Sequence, residues 1–151
     1  MVGDKIKHIL IVEDDQDMHR LYAHMFENEE DLYQFEIIDD ARLAYRYVER
    51  TKCDLIILDM KMEPMSGEEF YAVLRNDPKL KDIPVLVVSV VYPEDLVHLK
   101  KYGPVDFLKK PIKKEQLMEK LRDIIAAIPQ QSILTHHKSF YLRYFSGKRL
   151  V

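Results

Sequence analysis

The stretch CDLIILDMKMEPMSG, residues 53–67, sets an apolar run against a single carboxylate and then a loop. Its first six residues are mostly apolar, which is typical of a strand buried on both faces of a parallel sheet. Asp59 follows directly, and methionines, a proline and a glycine come after it. A carboxylate at the end of a buried strand lies at the edge of the sheet, where ligands of such sheets bind.

Four further apolar runs flank this strand along the chain. The predicted strands are 8–12, 35–38, 53–58, 83–90 and 105–108, and a helical pattern of apolar residues follows each, the weakest at 93–101. Parallel strands need crossover connections, and these are right-handed. The pattern predicts an α/β fold, a doubly wound five-stranded parallel sheet in the flavodoxin-like order 2-1-3-4-5 with helices on both faces.

Length and composition indicate one globular domain with a short extension. The 151 residues carry a net charge of −3, which predicts no general affinity for nucleic acid. Cys53 is the only cysteine, so no intrachain disulfide can form, and its place in an apolar run indicates a small buried side chain rather than a nucleophile. A signal-peptide pattern and an apolar stretch of roughly 20 residues are both missing, so we expect a cytoplasmic protein.

Polar side chains follow the predicted strands. If strand one lies between strands two and three, the ends of strands one, three, four and five share one crevice, and the residues there are Glu13, Asp14, Asp59, Ser89 and Lys110. Crowded carboxylates need a cation, and oxygen ligands without cysteine or histidine select Mg²⁺ or Mn²⁺. Because Mg²⁺ often shares a phosphate, the site predicts phosphoryl transfer, with Asp59 as the nucleophile that forms an acyl phosphate.

Other polar residues near the strand ends have structural interpretations. Asp15 directly precedes the first helical pattern and is expected to cap that helix rather than to bind a metal. Asp39 and Asp40 follow strand two, away from the crevice, and are expected to form a cap and a turn. Lys109 is expected to be a solvated neighbour of Lys110.

Four segments in order resemble the receiver domains of two-component response regulators, which have a CheY-like fold. The segments are ILIVEDD, DLIILDMKMEPMSG, VLVVSV and DFLKKP, and the resemblance covers about residues 6–128. Each segment alone is a weak signal. Together they form a strong one, with 45 residues from Asp14 to Asp59, 30 from Asp59 to Ser89 and 21 from Ser89 to Lys110.

The resemblance implies a role for each matching residue of the acidic site. Asp59 would accept a phosphoryl group from a phosphohistidine of a sensor histidine kinase or a histidine phosphotransfer protein. Asp14 would contact Mg²⁺ directly, Glu13 would act through a bound water, and Lys61 would contribute its backbone carbonyl.

The resemblance also implies how the domain responds. Ser89 would bind one phosphate oxygen and Lys110 another, and Phe107 matches the family's switch aromatic, which turns inward. The Lys110–Pro111 peptide bond is expected to be cis. The surface of helix four, strand five and helix five would then bind a downstream effector or a second copy of the chain. The domain would assist its own phosphorylation and dephosphorylation without being an enzyme that turns over a separate substrate.

Two positions depart from the family pattern. The usual proline four residues after the phosphorylated aspartate is Glu63, and the proline is displaced to Pro64, so the loop geometry is expected to differ. Val90 follows Ser89 where the family usually has a small residue, and its branched side chain is expected to narrow the approach to Asp59. Neither change removes a reacting group.

We assign residues 1–128 to the receiver domain and residues 129–151 to a basic aromatic extension. The extension carries four basic residues, four aromatic residues and no acidic residue. Such a segment can bind nucleic acid or an acidic partner, begin a downstream region that is truncated here, or fold back on the domain. We favour the last two because about 22 residues cannot form a recognised DNA-binding module. Direct contact with nucleic acid or membrane is not expected.

Three other functions fit parts of the pattern. A haloacid-dehalogenase-type phosphatase also uses an aspartyl nucleophile, but it needs a second acid two residues later, where this chain has Lys61. A flavodoxin-like flavin binder needs a hydroxyl- and glycine-rich loop after strand one, whereas EDDQD would repel a phosphate. A receiver-fold interaction module that works without phosphorylation is the closest alternative.

Overall fold

The computed structural model describes residues 5–129 and contains a five-stranded sheet. The strands are β1 (Lys7–Val12), β2 (Tyr33–Ile38), β3 (Leu55–Leu58), β4 (Val85–Ser89) and β5 (Asp106–Lys109). Their order is β2-β1-β3-β4-β5, and all neighbouring strands are parallel. The predicted fold class and strand order are confirmed.

Helices connect the strands on both faces of the sheet. They are α1 (Gln16–Met25), α2 (Ala41–Arg50), α3 (Gly67–Asn76), a 3-10 helix (Pro93–Tyr102) and α4 (Lys114–Ala126). Side-chain oxygens of Asp15 and Asp40 accept hydrogen bonds from backbone N–H groups in the first turns of α1 and α2. The capping roles predicted for these two residues are confirmed.

The fourth helix, which the sequence indicates is the weakest, has 3-10 geometry. Leu96 and Leu99 are buried and Tyr102 packs against the same core, so the inward side chains recur every third position. This spacing matches the three residues per turn of a 3-10 helix, in which such side chains eclipse. Pro93 begins the helix and Gly103, with φ 110°, ends it.

Each strand differs from its predicted bounds by one or two residues at one end or at both. β2 begins at Tyr33, two residues early, because it is an edge strand whose middle residues are exposed and leave no apolar run to mark it. β4 ends at Ser89, which places Val90 in the loop that follows. Val90 is 49% exposed, so it is not part of the buried strand.

The core forms two layers, one on each face of the sheet. One layer packs Leu10 and Leu58 against α2, α3 and the 3-10 helix. The other packs Ile11 and Ile57 against α1 and α4. Because the central strands are buried on both faces, they read as continuous apolar runs in the sequence.

Cys53 lies just before β3 and is half-buried. Its Sγ donates to the backbone oxygen of Leu55 at 3.1 Å, and burial raises the pKa of the thiol to about 11. A thiol that resists ionisation is a poor nucleophile, so these features support the packing role expected from the sequence.

Within residues 5–129, the helices are too short or too polar to cross a membrane. The basic aromatic extension predicted for residues 129–151 lies outside the described residues apart from Pro129.

Candidate functional site

Backbone hydrogen bonds across the sheet bring the predicted site residues to one edge. Glu13 and Asp59 directly follow β1 and β3, Ser89 ends β4, and Lys110 follows β5. The Asp59 N–H donates to the backbone oxygen of Val12 at 3.1 Å, and the Lys110 N–H donates to the backbone oxygen of Ser89 at 2.9 Å. The parallel pairing therefore continues past the strand ends and holds these residues in register.

Three carboxylates meet at this edge. Glu13, Asp14 and Asp59 each offer an oxygen, and these oxygens lie within 4.8 Å of one another. Glu13 is 1% exposed and Asp59 is 5% exposed, whereas Asp14 faces solvent. Two buried acids and one exposed acid thus share a small space, as the strand order predicted.

Lys110 is the cation of the cluster. Its Nζ lies 2.7 Å from Glu13 Oε2 and 3.7 Å from Asp59 Oδ2. One ammonium therefore contacts both buried carboxylates and offsets part of their mutual repulsion.

Burial and neighbouring charges raise the pKa values of two groups at this site, Glu13 and Tyr22. Burial raises the pKa of Glu13, and the nearby Asp59 charge adds to this, while the hydrogen bond and charge of Lys110 act in the opposite direction. Tyr22 is also buried, and burial together with the Glu13 and Asp59 charges raises its pKa well above the usual value. Tyr22 therefore stays neutral at physiological pH.

Asp59 has one oxygen without a partner. Its Oδ1 is buried and makes no hydrogen bond to any residue that the structure describes. A buried, unpaired carboxylate oxygen is costly unless a cation or donor reaches it. Together with the oxygens of Glu13 and Asp14, it forms the donor set that Mg²⁺ prefers, so the residues present fit that ion.

The loop after Asp59 is packed closely at its far end. The Gly67 N–H donates to the backbone oxygen of Met60 at 3.0 Å. A Cβ on Gly67 would lie 2.0 Å from the backbone oxygen of Asp59, so only glycine fits here. Ser66 and Glu69 form a capping box at the start of α3, immediately beside this contact. The start of α3 thus holds the loop against the backbone of Asp59.

The two prolines beside the site both follow cis peptide bonds. Lys110–Pro111 is cis, as expected, and so is Glu63–Pro64, which the sequence analysis did not predict. Lys61 lies in the same loop and is exposed.

Ser89 is fully buried, and its Oγ accepts a hydrogen bond from the Val91 N–H at 3.4 Å. Phe107 is partly buried and packs against the core layer that contains the 3-10 helix. Ser89 ends β4, and Phe107 lies in β5 opposite Val87. The roles inferred for Ser89 and Phe107 remain predictions.

Sequence reasoning missed three contacts near the site. His19 Nε2 is hydrogen-bonded to the backbone oxygen of Glu13, Gly67 lies against Asp59, and Lys109 contacts the loop after Ser89. The glycine that follows Ser66 was a usable signal, because a helix that begins with glycine often has a backbone close by. The two side-chain contacts leave no pattern in the sequence.

Comparison with known proteins identifies the family of this site. The sequence profile of the response regulator receiver domain matches residues 9–122. The cyclic di-GMP phosphodiesterase response regulator RpfG of Xanthomonas campestris pv. campestris is 31% identical over 128 residues, which are 82% of this chain and 33% of that protein. The response regulator ArlR of Staphylococcus aureus is 31% identical over 130 residues, 83% of this chain and 56% of that protein.

A solved structure agrees with these relatives. The receiver domain of a signal transduction histidine kinase from Syntrophus aciditrophicus is 31% identical, has a TM-score of 0.72, and is matched over 82% of this chain and 93% of its own. This chain spans only a third to about a half of the curated relatives described above, and the matched part is the receiver region. It is a member of the response regulator receiver domain family, whose members act in phosphorylation-based signalling by two-component systems.

Proposed function

We propose that the domain is a switch in which Asp59 accepts a phosphoryl group from a phosphohistidine. The observation that carries this proposal is the state of the Asp59 carboxylate, which is buried, lies 3.7 Å from the Lys110 ammonium and has one oxygen without a hydrogen-bond partner among residues 5–129. A carboxylate held rigidly at a strand end, with a free oxygen, has the properties of a nucleophile for an incoming phosphorus atom.

The phosphoryl group passes from the donor histidine to Asp59 in one displacement. An Asp59 oxygen forms the new O–P bond while the P–N bond to the donor histidine breaks, and the electron pair of that bond returns to the imidazole. Lys110 stays beside the site and offsets charge that builds up on the phosphate oxygens. The Ser89 hydroxyl donates to a second phosphate oxygen once the loop after β4 moves inward.

Family members bind Mg²⁺ in an acidic pocket, and this chain has such a cluster. When bound, Mg²⁺ would take up charge from the phosphate oxygens and bring the phosphoryl group to the carboxylates. Asp14 and Asp59 would hold the ion through their carboxylates, Lys61 through its backbone carbonyl, and Glu13 through a water. Mn²⁺ would fit the same oxygen ligands.

The partners proposed are those of a two-component pathway. Receiver domains interact with histidine kinases and effector domains. We assign the donor to a sensor histidine kinase or a histidine phosphotransfer protein in the cytoplasm, and the recipient to an effector or a second copy of this chain. The recipient would bind the surface formed by the 3-10 helix, β5 and α4, where Phe107 turns inward on activation. The phosphodiesterase named in RpfG belongs to that longer protein.

The test is direct phosphorylation of the purified chain. Incubation with Mg²⁺ and acetyl phosphate should add one phosphoryl group by intact mass, and the Asp59→Asn variant should gain none. The same reaction with EDTA should fail, and beryllofluoride should shift the amide resonances of Ser89 and Lys110. Wild-type protein that gains no mass and shows no response to beryllofluoride would support an interaction module that works without phosphorylation.

A further inference from the structure

Lys109 has a position that its sequence context did not suggest. It ends β5 directly opposite Ser89 in the strand register. Its Nζ donates to the backbone oxygen of Val90 at 3.0 Å and lies 3.7 Å from the centroid of the Tyr92 ring. The side chain is exposed, as expected, but it reaches back across the sheet edge instead of extending into solvent.

The loop that Lys109 contacts, residues 90–92, is the one that must move with Ser89. Val90 is 49% exposed and Tyr92 is 59% exposed, so neither side chain is held by burial. Inside the loop, the Val91 N–H donates to Ser89 Oγ at a long distance of 3.4 Å. Tyr92 precedes the 3-10 helix without any side-chain cap of its own. Val91 packs against the core and the Tyr92 carbonyl accepts from the Asp95 N–H, while the side-chain contact described here on the exposed side of the loop comes from Lys109.

We propose that Lys109 and Tyr92 form a latch that holds the loop after Ser89 in its unphosphorylated position and thereby sets how readily the domain switches. The proposal rests on the function proposed for Asp59 and Ser89, and it names two positioning residues that do not touch the reacting atoms.

The direction of the effect follows from the contacts. Under the function proposed above, the Ser89 hydroxyl moves toward a phosphate on Asp59, and the loop that is joined to Ser89 by the Val91 N–H contact moves with it. Lys109 opposes this movement because its ammonium is hydrogen-bonded to the Val90 carbonyl and also contacts the Tyr92 ring. Because the latch contacts exist in the resting arrangement, they stabilise that arrangement, and losing them shifts the population toward the active one.

The chain offers a matched control for a lysine–aromatic contact. Lys101 Nζ lies 5.1 Å from the ring centroid of Tyr102, at the end of the 3-10 helix away from Ser89. Lys101→Met therefore removes the same charge and the same type of interaction without touching the loop. Lys109→Arg is the conservative variant, since a guanidinium can both donate to a carbonyl and lie over a ring.

The experiment measures the dissociation constant for beryllofluoride at saturating Mg²⁺, together with the amide spectrum of the free protein. Lys109→Met should bind beryllofluoride roughly threefold to tenfold more tightly, the change expected from losing a cation–π contact and a charge-assisted hydrogen bond. In the absence of beryllofluoride, the Val91 and Tyr92 amide resonances of Lys109→Met should be shifted from the free wild-type positions toward the positions of the wild type bound to beryllofluoride. Lys109→Arg and Lys101→Met should resemble the wild type.

Tyr92→Leu completes the test. If both residues form one latch, Tyr92→Leu should also tighten beryllofluoride binding. The gain in binding free energy of the double variant Lys109→Met/Tyr92→Leu should then be smaller than the sum of the gains of the two single variants. Equal or weaker binding by Lys109→Met, when the wild type binds normally, would overturn the latch. Wild-type protein that does not respond to beryllofluoride would instead overturn the proposed function. Unfolding curves for all variants check that the fold is unchanged.

Discussion

Replacing Gly67 with alanine should displace Asp59, the proposed acceptor, without altering its carboxylate or the other proposed reacting groups. A Cβ at this position would lie 2.0 Å from the backbone oxygen of Asp59, 2.6 Å from Met60 Cα and 2.8 Å from the backbone carbon of Asp59. All three are backbone atoms, so no side chain can rotate away. To remove the clash, α3 and the end of β3 must move apart until the distance from the new Cβ to the backbone oxygen of Asp59 grows from 2.0 Å to at least 3.0 Å.

Two consequences follow from a displacement of this size. Overpacking of a tightly packed position costs about 1–3 kcal/mol, which lowers Tm by roughly 3–15 °C in a domain of this length. A misplacement of about 1 Å at a reacting group can reduce a rate by about 10²-fold. We therefore expect Gly67→Ala to lose both stability and most of the rate of phosphorylation by acetyl phosphate.

The assay pairs thermal unfolding with the time course of phosphorylation, measured by intact mass at a temperature where both proteins are folded. Gly103→Ala is the matched control, because Gly103 has φ 110° and a Cβ added there would meet no atom within 4 Å from the described residues beyond its chain neighbours. It should lose about 1 kcal/mol through backbone strain alone and be phosphorylated at the wild-type rate. A Gly67→Ala protein with normal Tm and normal phosphorylation would show that the close contact does not position Asp59.

Two further predictions concern titrating groups. The pKa of Cys53 is raised to about 11, so at pH 8 its thiol should react with iodoacetamide about a hundredfold more slowly than an ordinary cysteine. The reaction rate should keep rising up to pH 11. A rate at pH 8 equal to that of an ordinary cysteine would contradict the burial of this thiol. The hydrogen bond from Arg42 lowers the pKa of Asp40 to about 2, so its contribution to stability should be complete above the ordinary value of 3.8 and be lost as the pH falls toward 2. Carboxyl NMR titration measures this pKa directly, and the stability advantage of the wild type over Asp40→Asn should shrink in the same interval.

The sequence was sufficient to predict the sheet and the location of the site. Strands buried on both faces must be apolar throughout, so β1, β3 and β4 are visible as runs, and a polar residue at the end of such a run is conspicuous. Asp59 is located by this rule, Lys110 follows the predicted fifth strand, and the strand order then brings the two together.

The features that were missed depend on contacts between segments far apart in the chain. The edge strand β2 has exposed residues in its middle, so its start at Tyr33 leaves no periodic signal. The 3-10 geometry depends on which residues face the core, and the spacing of Leu96 and Leu99 also fits an α-helix. Lys109 is the first of two adjacent lysines, which gives it no distinguishing pattern, and its contact with Tyr92 depends on the register of β4 and β5.

Asp59, the proposed acceptor, and Ser89, the proposed responding residue, are held in different ways, and under the proposed function this difference gives the signal a direction. Asp59 is fixed by the hydrogen bond of its N–H to Val12 and by the close approach of Gly67 to its carbonyl. Ser89 is buried, but the loop that follows it is exposed and is held at its surface by Lys109. A new charge on Asp59 therefore cannot readily move the strand that carries it. Under the proposed function, the charge therefore acts on the less firmly held side, through Ser89 and the loop after β4, toward the 3-10 helix and β5.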